Sequence, residues 1–258
     1  DLHLCDRRQR QMCIRDRYKS VGLVKGVGFN SWRRVDTVLP AIKVYNMREV
    51  DELILLDIEA TNEKRDPDYD EIRDFSRECF VPFCVGGGIC NIEQIRQLLR
   101  AGADKVAINT AAYNDIALIT EGADLFGSQC IVASIDCRNI DGEYHCFSND
   151  GTVDTGYMVE EWAKKVVDAG AGEILLTSVE RDGTMQGYDI ELIRRVTSCV
   201  SVPVIASGGA GNYEHMREAV MDGGASAVAA ASIYHFTEQT PREAKEYLQE
   251  HGVAVRLM

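Results

Sequence analysis

From Tyr18 onward the chain alternates two hydrophobic patterns. One is a short, nearly continuous apolar run: DELILLDI (Asp51–Ile58), VPFCVGG (Val81–Gly87), KVAIN (Lys105–Asn109), CIVASID (Cys130–Asp136), EILLTS (Glu173–Ser178), VPVIAS (Val202–Ser207) and ASAVAAAS (Ala225–Ser232). Apolar runs without polar alternation predict strands covered on both faces. The other pattern repeats apolar residues every three or four positions, as in IEQIRQLLRAG (Ile92–Gly102), YMVEEWAKKVVDAG (Tyr157–Gly170), IELIRRVTSCV (Ile190–Val200) and REAKEYLQEHG (Arg242–Gly252). These segments predict helices, several closed by the glycine that ends a helix in the left-handed conformation. Strict alternation of the two predicts a parallel sheet. Seven strands are visible, and an eighth falls in or before the N-terminal tract, which points to an α/β protein of the (β/α)8 TIM-barrel type spanning residues 18–258 as one domain. A doubly wound sheet would show GxGxxG after its first strand, and GVGFNS does not meet that pattern.

An internal repeat supports the barrel. LLDIEAT (Leu55–Thr61), VPFCVGGGI (Val81–Ile89) and GADKVAINTAA (Gly102–Ala112) parallel LLTSVERDGT (Leu175–Thr184), VPVIASGGAG (Val202–Gly211) and GGASAVAAASI (Gly223–Ile233). Asp57 to Gly87 spans 30 residues and Thr177 to Gly208 spans 31; Gly87 to Ala107 spans 20 and Gly208 to Ala229 spans 21. A near-fixed period of this kind predicts two half-barrels fused by duplication, and with them duplicated ligand sites.

The tract before Tyr18 breaks the pattern. Arg7 to Arg17 read RRQRQMCIRDR, a string that back-translates codon by codon into an oligonucleotide resembling a transposase-type sequencing adapter. Residues 1–17 are therefore read as adapter-derived, replacing the native first strand and leaving that strand disrupted. A natural basic arm is the alternative. Alternating Arg and Asp in MCIRDR also suits an interior strand poorly, since barrel interiors are filled by bulky apolar side chains.

Composition narrows the chemistry. The 258 residues are 45% hydrophobic and 27% charged, enough apolar material for a large core. A net charge of −13 argues against a nucleic-acid partner, which needs a basic face. Anionic small molecules stay possible, because backbone N–H groups bind phosphate without net positive charge. No apolar run is long enough to cross a bilayer or to serve as a signal-peptide core, so no membrane partner and a cytoplasmic location are expected. Nine cysteines include no CxxC pair, and five histidines form no HExxH or HxH cluster, so neither a metal nor another cofactor is expected.

The loops suggest what is bound. In each half a strand ends in a glycine-rich turn (Gly86–Ile89 and Gly208–Gly211), and the next strand ends in small or polar residues (Asn109–Ala112 and Ala230–Ser232). Such turns either close tight connections or let a phosphate approach the backbone. Two related pairs in one chain favour phosphate, and two cradles around one mouth imply a substrate with a phosphate at each end. Barrel catalysis uses residues at strand C-terminal ends, where Asp57, Asp136 and Asp182 fall. Each is either an acid/base group or a cap; Asp182 reads most easily as a turn residue before Gly183, and Asp136 least easily as a cap.

These segments resemble the cyclase subunit of imidazole glycerol phosphate synthase of histidine biosynthesis. The resemblance runs from about Gly22 to the C-terminus, through VDELILLDI, VPFCVGGGI, GADKVAINTAA, FGSQCIVASID, GAGEILLTSVERDGTMQGYD, VPVIASGGAG and EAKEYLQEHGVAVRL. It implies a (β/α)8 barrel in a heterodimer with a glutaminase subunit. Ammonia from that subunit would close the imidazole ring of a bis-phosphorylated formimino ribonucleotide, releasing imidazole glycerol phosphate and an aminoimidazole carboxamide ribonucleotide. By motif, Asp136 is one catalytic aspartate, while the position of the other falls on Arg17. Lys25 matches the first-loop lysine. Gly88, Asn109 and Thr110 match one phosphate site; Asp182, Gly183, Gly209, Ala231 and Ser232 match the other. Glu52, Lys105 and Glu173 match three of four charged residues around an ammonia gate. The departures are Cys84 for threonine, Glu180 for aspartate, and DPDYDE (66–71), which resembles a paralogous branch of surface-polysaccharide gene clusters. That leaves two alternatives: a paralog supplying ammonia to a sugar amidotransferase, and a non-catalytic barrel that activates a glutaminase.

Overall fold

A computed structural model of the chain describes residues 10–19 and 22–257; residues 1–9 of the N-terminal tract lie outside the described residues. In chain order the strands are β1 (Gln11–Lys19), β2 (Gly22–Val27), β3 (Asn30–Asp36), β4 (Glu52–Asp57), β5 (Phe83–Gly86), β6 (Lys105–Ile108), β7 (Ile131–Ile140), β8 (Glu143–Ser148), β9 (Val153–Met158), β10 (Glu173–Ser178), β11 (Val204–Ser207) and β12 (Ala227–Ala230). The parallel order β1-β4-β5-β6-β7-β10-β11-β12 returns from β12 to β1, so eight strands close a (β/α)8 barrel. The helices are α1 (Val38–Met47), α2 (Ala60–Glu63), α3 (Tyr69–Glu78), α4 (Ile92–Ala101), α5 (Thr110–Asn114), α6 (Ala117–Phe126), α7 (Val159–Asp168), α8 (Ile190–Thr197), α9 (Tyr213–Met221), α10 (Ser232–Phe236) and α11 (Pro241–Glu250). Their starts follow the sequence: Asn91, Asp189 and Asn212 cap α4, α8 and α9, and Thr240 with Glu243 forms a capping box before α11.

Side-chain direction alternates along each strand and sorts the interior into layers. Cys13, Ile54, Cys84, Ala107, Val132, Leu175, Ile205, Ala227 and Ala229 form an apolar plug inside the barrel, separate from the larger core between sheet and helices. Two residues back along the strands, the same parity carries Glu52, Lys105 and Glu173 at the N-terminal end. Further forward it carries Arg15, Arg17, Asn109 and Asp136 at the mouth.

The first strand is not disrupted, contrary to the expectation from its sequence. β1 pairs with β12 on one side and β4 on the other, and all of Met12–Tyr18 is buried. Met12, Ile14 and Tyr18 enter the outer core and Cys13 the plug. Its charges are tolerated because each finds a buried opposite charge. Inside the mouth, Arg15 and Arg17 pair with Asp182; on the helix side, Asp16 pairs with Lys25 and contacts Tyr45 and His235.

Four strands lie outside the parallel pattern. β2 pairs antiparallel with β1 and β3 with β2, as β8 does with β7 and β9 with β8, so each half's first strand carries a two-stranded extension above the mouth. The β7–β8 turn is Asp141–Gly142 with φ of 52° and 90°, the left-handed pair that a two-residue hairpin requires. Register also corrects the repeat by one residue. Glu52 opens β4 and Glu173 opens β10, which makes Asp57 equivalent to Ser178 rather than to Thr177. Arg17 lies beside Leu56, and Asp136 beside Thr177, at the same offset from those glutamates. Arg17 and Asp136 are thus corresponding positions of the two halves.

Candidate active site

The first cradle opens into the main cavity of the mouth, with a volume of about 580 Å3. Gly88 has φ 70°, and a Cβ there would lie 2.8 Å from the Ala60 Cβ and 2.9 Å from the Arg65 carbonyl oxygen. Only glycine lets the turn pass this close to α2. Its N–H donates to Thr61 Oγ1 at 3.2 Å, while Thr110 Oγ1 accepts from the Asn149 N–H at 3.1 Å. Asp57, at the end of β4, accepts from the Glu59 and Ala60 N–H groups at 3.0 and 3.2 Å and faces Arg65 at 2.6 Å. It caps α2 and anchors an arginine in the cavity wall.

Asp136 is buried at the side of this cavity. Asn109 Nδ2 donates to Asp136 Oδ2 at 2.8 Å, and Asn109 Oδ1 has no hydrogen-bond partner. Burial pushes the Asp136 carboxyl up to about 6, with Arg17 and Arg15 opposing the rise and Asp150 adding to it. A carboxyl in that range can both give and accept a proton near neutral pH.

The second cradle is more closely filled. Gly183 (φ 75°) and Gly209 (φ 110°) would each place a Cβ 2.1 Å from a carbonyl oxygen, those of Gly26 and Gly187. Asp182, Gly183, Gly209, Ala231 and Ser232 share a cavity of about 30 Å3 with Arg15, Arg17, Lys25 and Trp32. Burial would raise the Asp182 carboxyl, yet Arg17 and Arg15 hold it below the usual carboxylate range. Arg17 also stacks over Phe29 at 3.7 Å. Lys25 lines this pocket, with its ammonium committed to Asp16.

At the opposite end, Lys105 Nζ meets Glu52 Oε2 at 2.9 Å and Glu173 Oε1 at 2.8 Å. Burial would lower the Lys105 pKa, but the two carboxylates raise it and hold the ammonium charged. Glu52 keeps one buried oxygen, Oε1, without a hydrogen-bond partner.

The structure therefore gathers the sequence-derived residues into three groups: Asp57, Gly88, Asn109, Thr110 and Asp136; Lys25, Asp182, Gly183, Gly209, Ala231 and Ser232; and the bottom trio. Sequence reasoning missed Arg65, Asn62 and Asp150, which line the first group. The polar ATNEKR stretch after a strand and the Asn-Asp-Gly turn were the available signals. Among the described residues no group of His, Cys, Asp or Glu is arranged to hold a metal ion, and no helix is long and apolar enough to cross a membrane.

Two glycine-lined cradles at the strand C-terminal ends lie where (β/α)8-barrel enzymes carry their active sites. Residues 15–240 match the family model described as histidine biosynthesis protein, and the chain belongs to that family. It is 48% identical over 235 residues to the HisF subunit of imidazole glycerol phosphate synthase from Chlorobaculum parvum, covering 91% of this chain and 94% of the relative. The same subunit from Chloroherpeton thalassium is 47% identical over 239 residues, covering 93% and 95%. That from Chlorobaculum tepidum is 46% identical over 235 residues, covering 91% and 94%.

Proposed function

We propose that the chain is the cyclase subunit of an imidazole glycerol phosphate synthase, using ammonia from a glutaminase subunit to close the imidazole ring of a bis-phosphorylated ribonucleotide. The observation that carries this reading is the pair of related cradles at one mouth, with Asp136 in the wall of the first. The Gly88, Asn109 and Thr110 cradle would take one phosphate, and the Gly183, Gly209 and Ser232 cradle the other, mainly through backbone donors. Filling the second cradle requires Arg15 and Arg17 to turn from Asp182 toward the incoming phosphate. Asp136 would move the proton between attacking and leaving nitrogen. Glu52, Lys105 and Glu173 would form the entrance through which ammonia from the partner passes.

One observation favours a second reading, in which the barrel hands ammonia to a sugar-modifying amidotransferase. The half-barrel position equivalent to Asp136 holds Arg17, so the mouth lacks a carboxylate there. Residues 1–17 bear on this choice, and we propose that they stand in place of a native first strand. Their string supports that; the two-sided pairing of β1 argues the other way, and resequencing the 5′ end of the gene decides. The deciding assay supplies the bis-phosphorylated substrate with ammonium, and separately with the glutaminase subunit and glutamine, and follows imidazole glycerol phosphate by chromatography. Product supports the cyclase. No product from a protein carrying the recovered native strand leaves the ammonia-supplying reading.

A further inference from the structure

Asp150 stands at the rim of the first cradle and has no part in the scheme above. It lies on the turn between β8 and β9, where Asn149, Asp150 and Gly151 have φ of 48°, 55° and 71°. Left-handed non-glycine residues carry a backbone cost and persist where their surroundings hold them. Here the cradle does so. The Asn149 N–H is held by Thr110, and Asn62 Nδ2 reaches across the mouth to donate to Asp150 Oδ2 at 2.9 Å. Asn62 follows Thr61, whose hydroxyl holds the Gly88 N–H. The turn is thus held from both walls of the cradle, its backbone by Thr110 and the Asp150 carboxylate by Asn62, and Asp150 lines the same cavity as Gly88, Asn109 and Thr110.

A carboxylate beside an anion site is electrostatically unfavourable unless it changes charge. The charged groups facing Asp150 are Arg17 and Lys19 from β1, Asp57 from β4 and Asp136 from β7, with Arg65 in the same cavity wall. Burial pushes the Asp150 carboxyl up to about 6; Arg17, Asn62 and Lys19 oppose the rise, and Asp57 adds to it. An anion docking at Gly88 and Thr110 brings a further like charge, which favours the neutral acid. Once protonated, the group is a hydrogen-bond donor toward the ligand.

We propose that Asp150 makes anion capture in the first cradle proton-linked: one proton from solvent moves onto its carboxylate as the phosphate end docks, so that the cradle favours its ligand at lower pH. This rests on the phosphate role given to the cradle under Proposed function.

Sulfate tests it, because sulfate keeps its charge between pH 6 and 8 and any proton exchanged belongs to the protein. Titration calorimetry at pH 7 in two buffers of different ionisation enthalpy counts protons, and amide shifts of Gly88 and Thr110 report the site. The full chain should take up about half a proton or more per sulfate bound there, with affinity falling about five- to tenfold from pH 6 to pH 8. In Asp150→Asn the left-handed turn is retained, since asparagine tolerates that conformation and its carbonyl still accepts from Asn62. That variant should bind sulfate at pH 8 about as tightly as the unaltered protein does at pH 6, with its pH dependence flattened to about twofold. Binding without proton uptake, or an unchanged pH profile in Asp150→Asn, overturns the proton link and leaves the cradle reading standing. No sulfate shift at Gly88 or Thr110 in either protein overturns both.

Discussion

The two cradles share a backbone plan and differ in what fills them. In the first, glycine turns open into a cavity of about 580 Å3 edged by Asn109, Thr110 and Asp150. In the second, the same plan encloses about 30 Å3, because Lys25 and Trp32 project over it from the extension of the first strand, beside Arg15 and Arg17, which line both cavities. The two halves share the glycines, whose positions the backbone dictates, but not the long side chains that fill the second cradle. The sharpest contrast is at the equivalent positions of β1 and β7, where one half has Arg17 paired to Asp182 and the other Asp136 bonded to Asn109.

The largest effect should come from making those positions alike. Arg17→Asp restores a carboxylate opposite Asp136 and leaves Asp182 paired with Arg15. If the chain is the cyclase, ammonia-dependent turnover should rise by about 100-fold or more, and adding Asp136→Asn should remove the gain, in keeping with the usual weight of a general acid/base group. Turnover is to be read per folded molecule, by far-ultraviolet circular dichroism. A folded Arg17→Asp protein that stays inactive on the bis-phosphorylated substrate would set the cyclase aside.

Much of this contrast was open to reading from the chain. The apolar runs marked seven barrel strands because a strand buried on both faces tolerates little else. The glycine turns marked both cradles, and Glu52, Lys105 and Glu173 marked the bottom trio, which does assemble. The rest depended on partners remote in sequence. β1 looked unfit because Arg15, Asp16 and Arg17 are costly unless paired, and pairing with Asp182, Lys25 and His235 is a tertiary fact. The antiparallel extensions β2–β3 and β8–β9 carry too many polar residues to stand out as strands. Asp150 read only as part of a turn, since its meaning comes from Asn62 across the mouth.

A second contrast is steric. Alanine at Gly209 would put its Cβ 2.1 Å from the Gly187 carbonyl oxygen, while at Gly88 the nearest contacts are 2.8 and 2.9 Å. Both sites also have positive φ. Gly209→Ala should cost about 3 kcal/mol or more and Gly88→Ala about 1–2 kcal/mol, measured by urea unfolding. Equal costs would mean that the second cradle yields more readily than its contacts indicate.

The bottom trio ties the halves together, since Lys105 of the first half holds Glu173 of the second as well as Glu52. Lys105→Ala leaves Glu52 buried without its counter-charge and should cost about 2–3 kcal/mol. Lys105→Met keeps most of the volume and separates packing from charge. If the trio is an ammonia gate, both variants should alter glutamine-dependent turnover more than ammonia-dependent turnover, assayed with the glutaminase subunit. Equal changes in the two would make it a structural ion pair.

The smallest effect is a pH slope in stability, and its sign separates the two cradles. Asp136 has a folded-state pKa of about 6, above the ordinary carboxylate value near 4, so between those values the folded protein binds the extra proton. Its contribution is therefore most favourable below about pH 4, declines as pH rises to 6, and stays flat beyond. Asp182 runs the other way: its carboxyl is held low by Arg17 and Arg15, so its contribution is present above the ordinary carboxylate range and is lost as pH falls below it. Asp136→Asn should accordingly gain about 1–2 kcal/mol at pH 7 and lose its part of the slope between pH 4 and 6, because the amide still accepts from Asn109 without a buried charge. Asp182→Asn should lose stability at pH 7, leaving two buried arginines without their carboxylate. Urea midpoints at pH 4, 5, 6 and 7 for the three proteins measure both signs. A loss of stability at pH 7 in Asp136→Asn would show that the carboxylate is held by more than Asn109 and that the two halves are electrostatically more alike than their cradles.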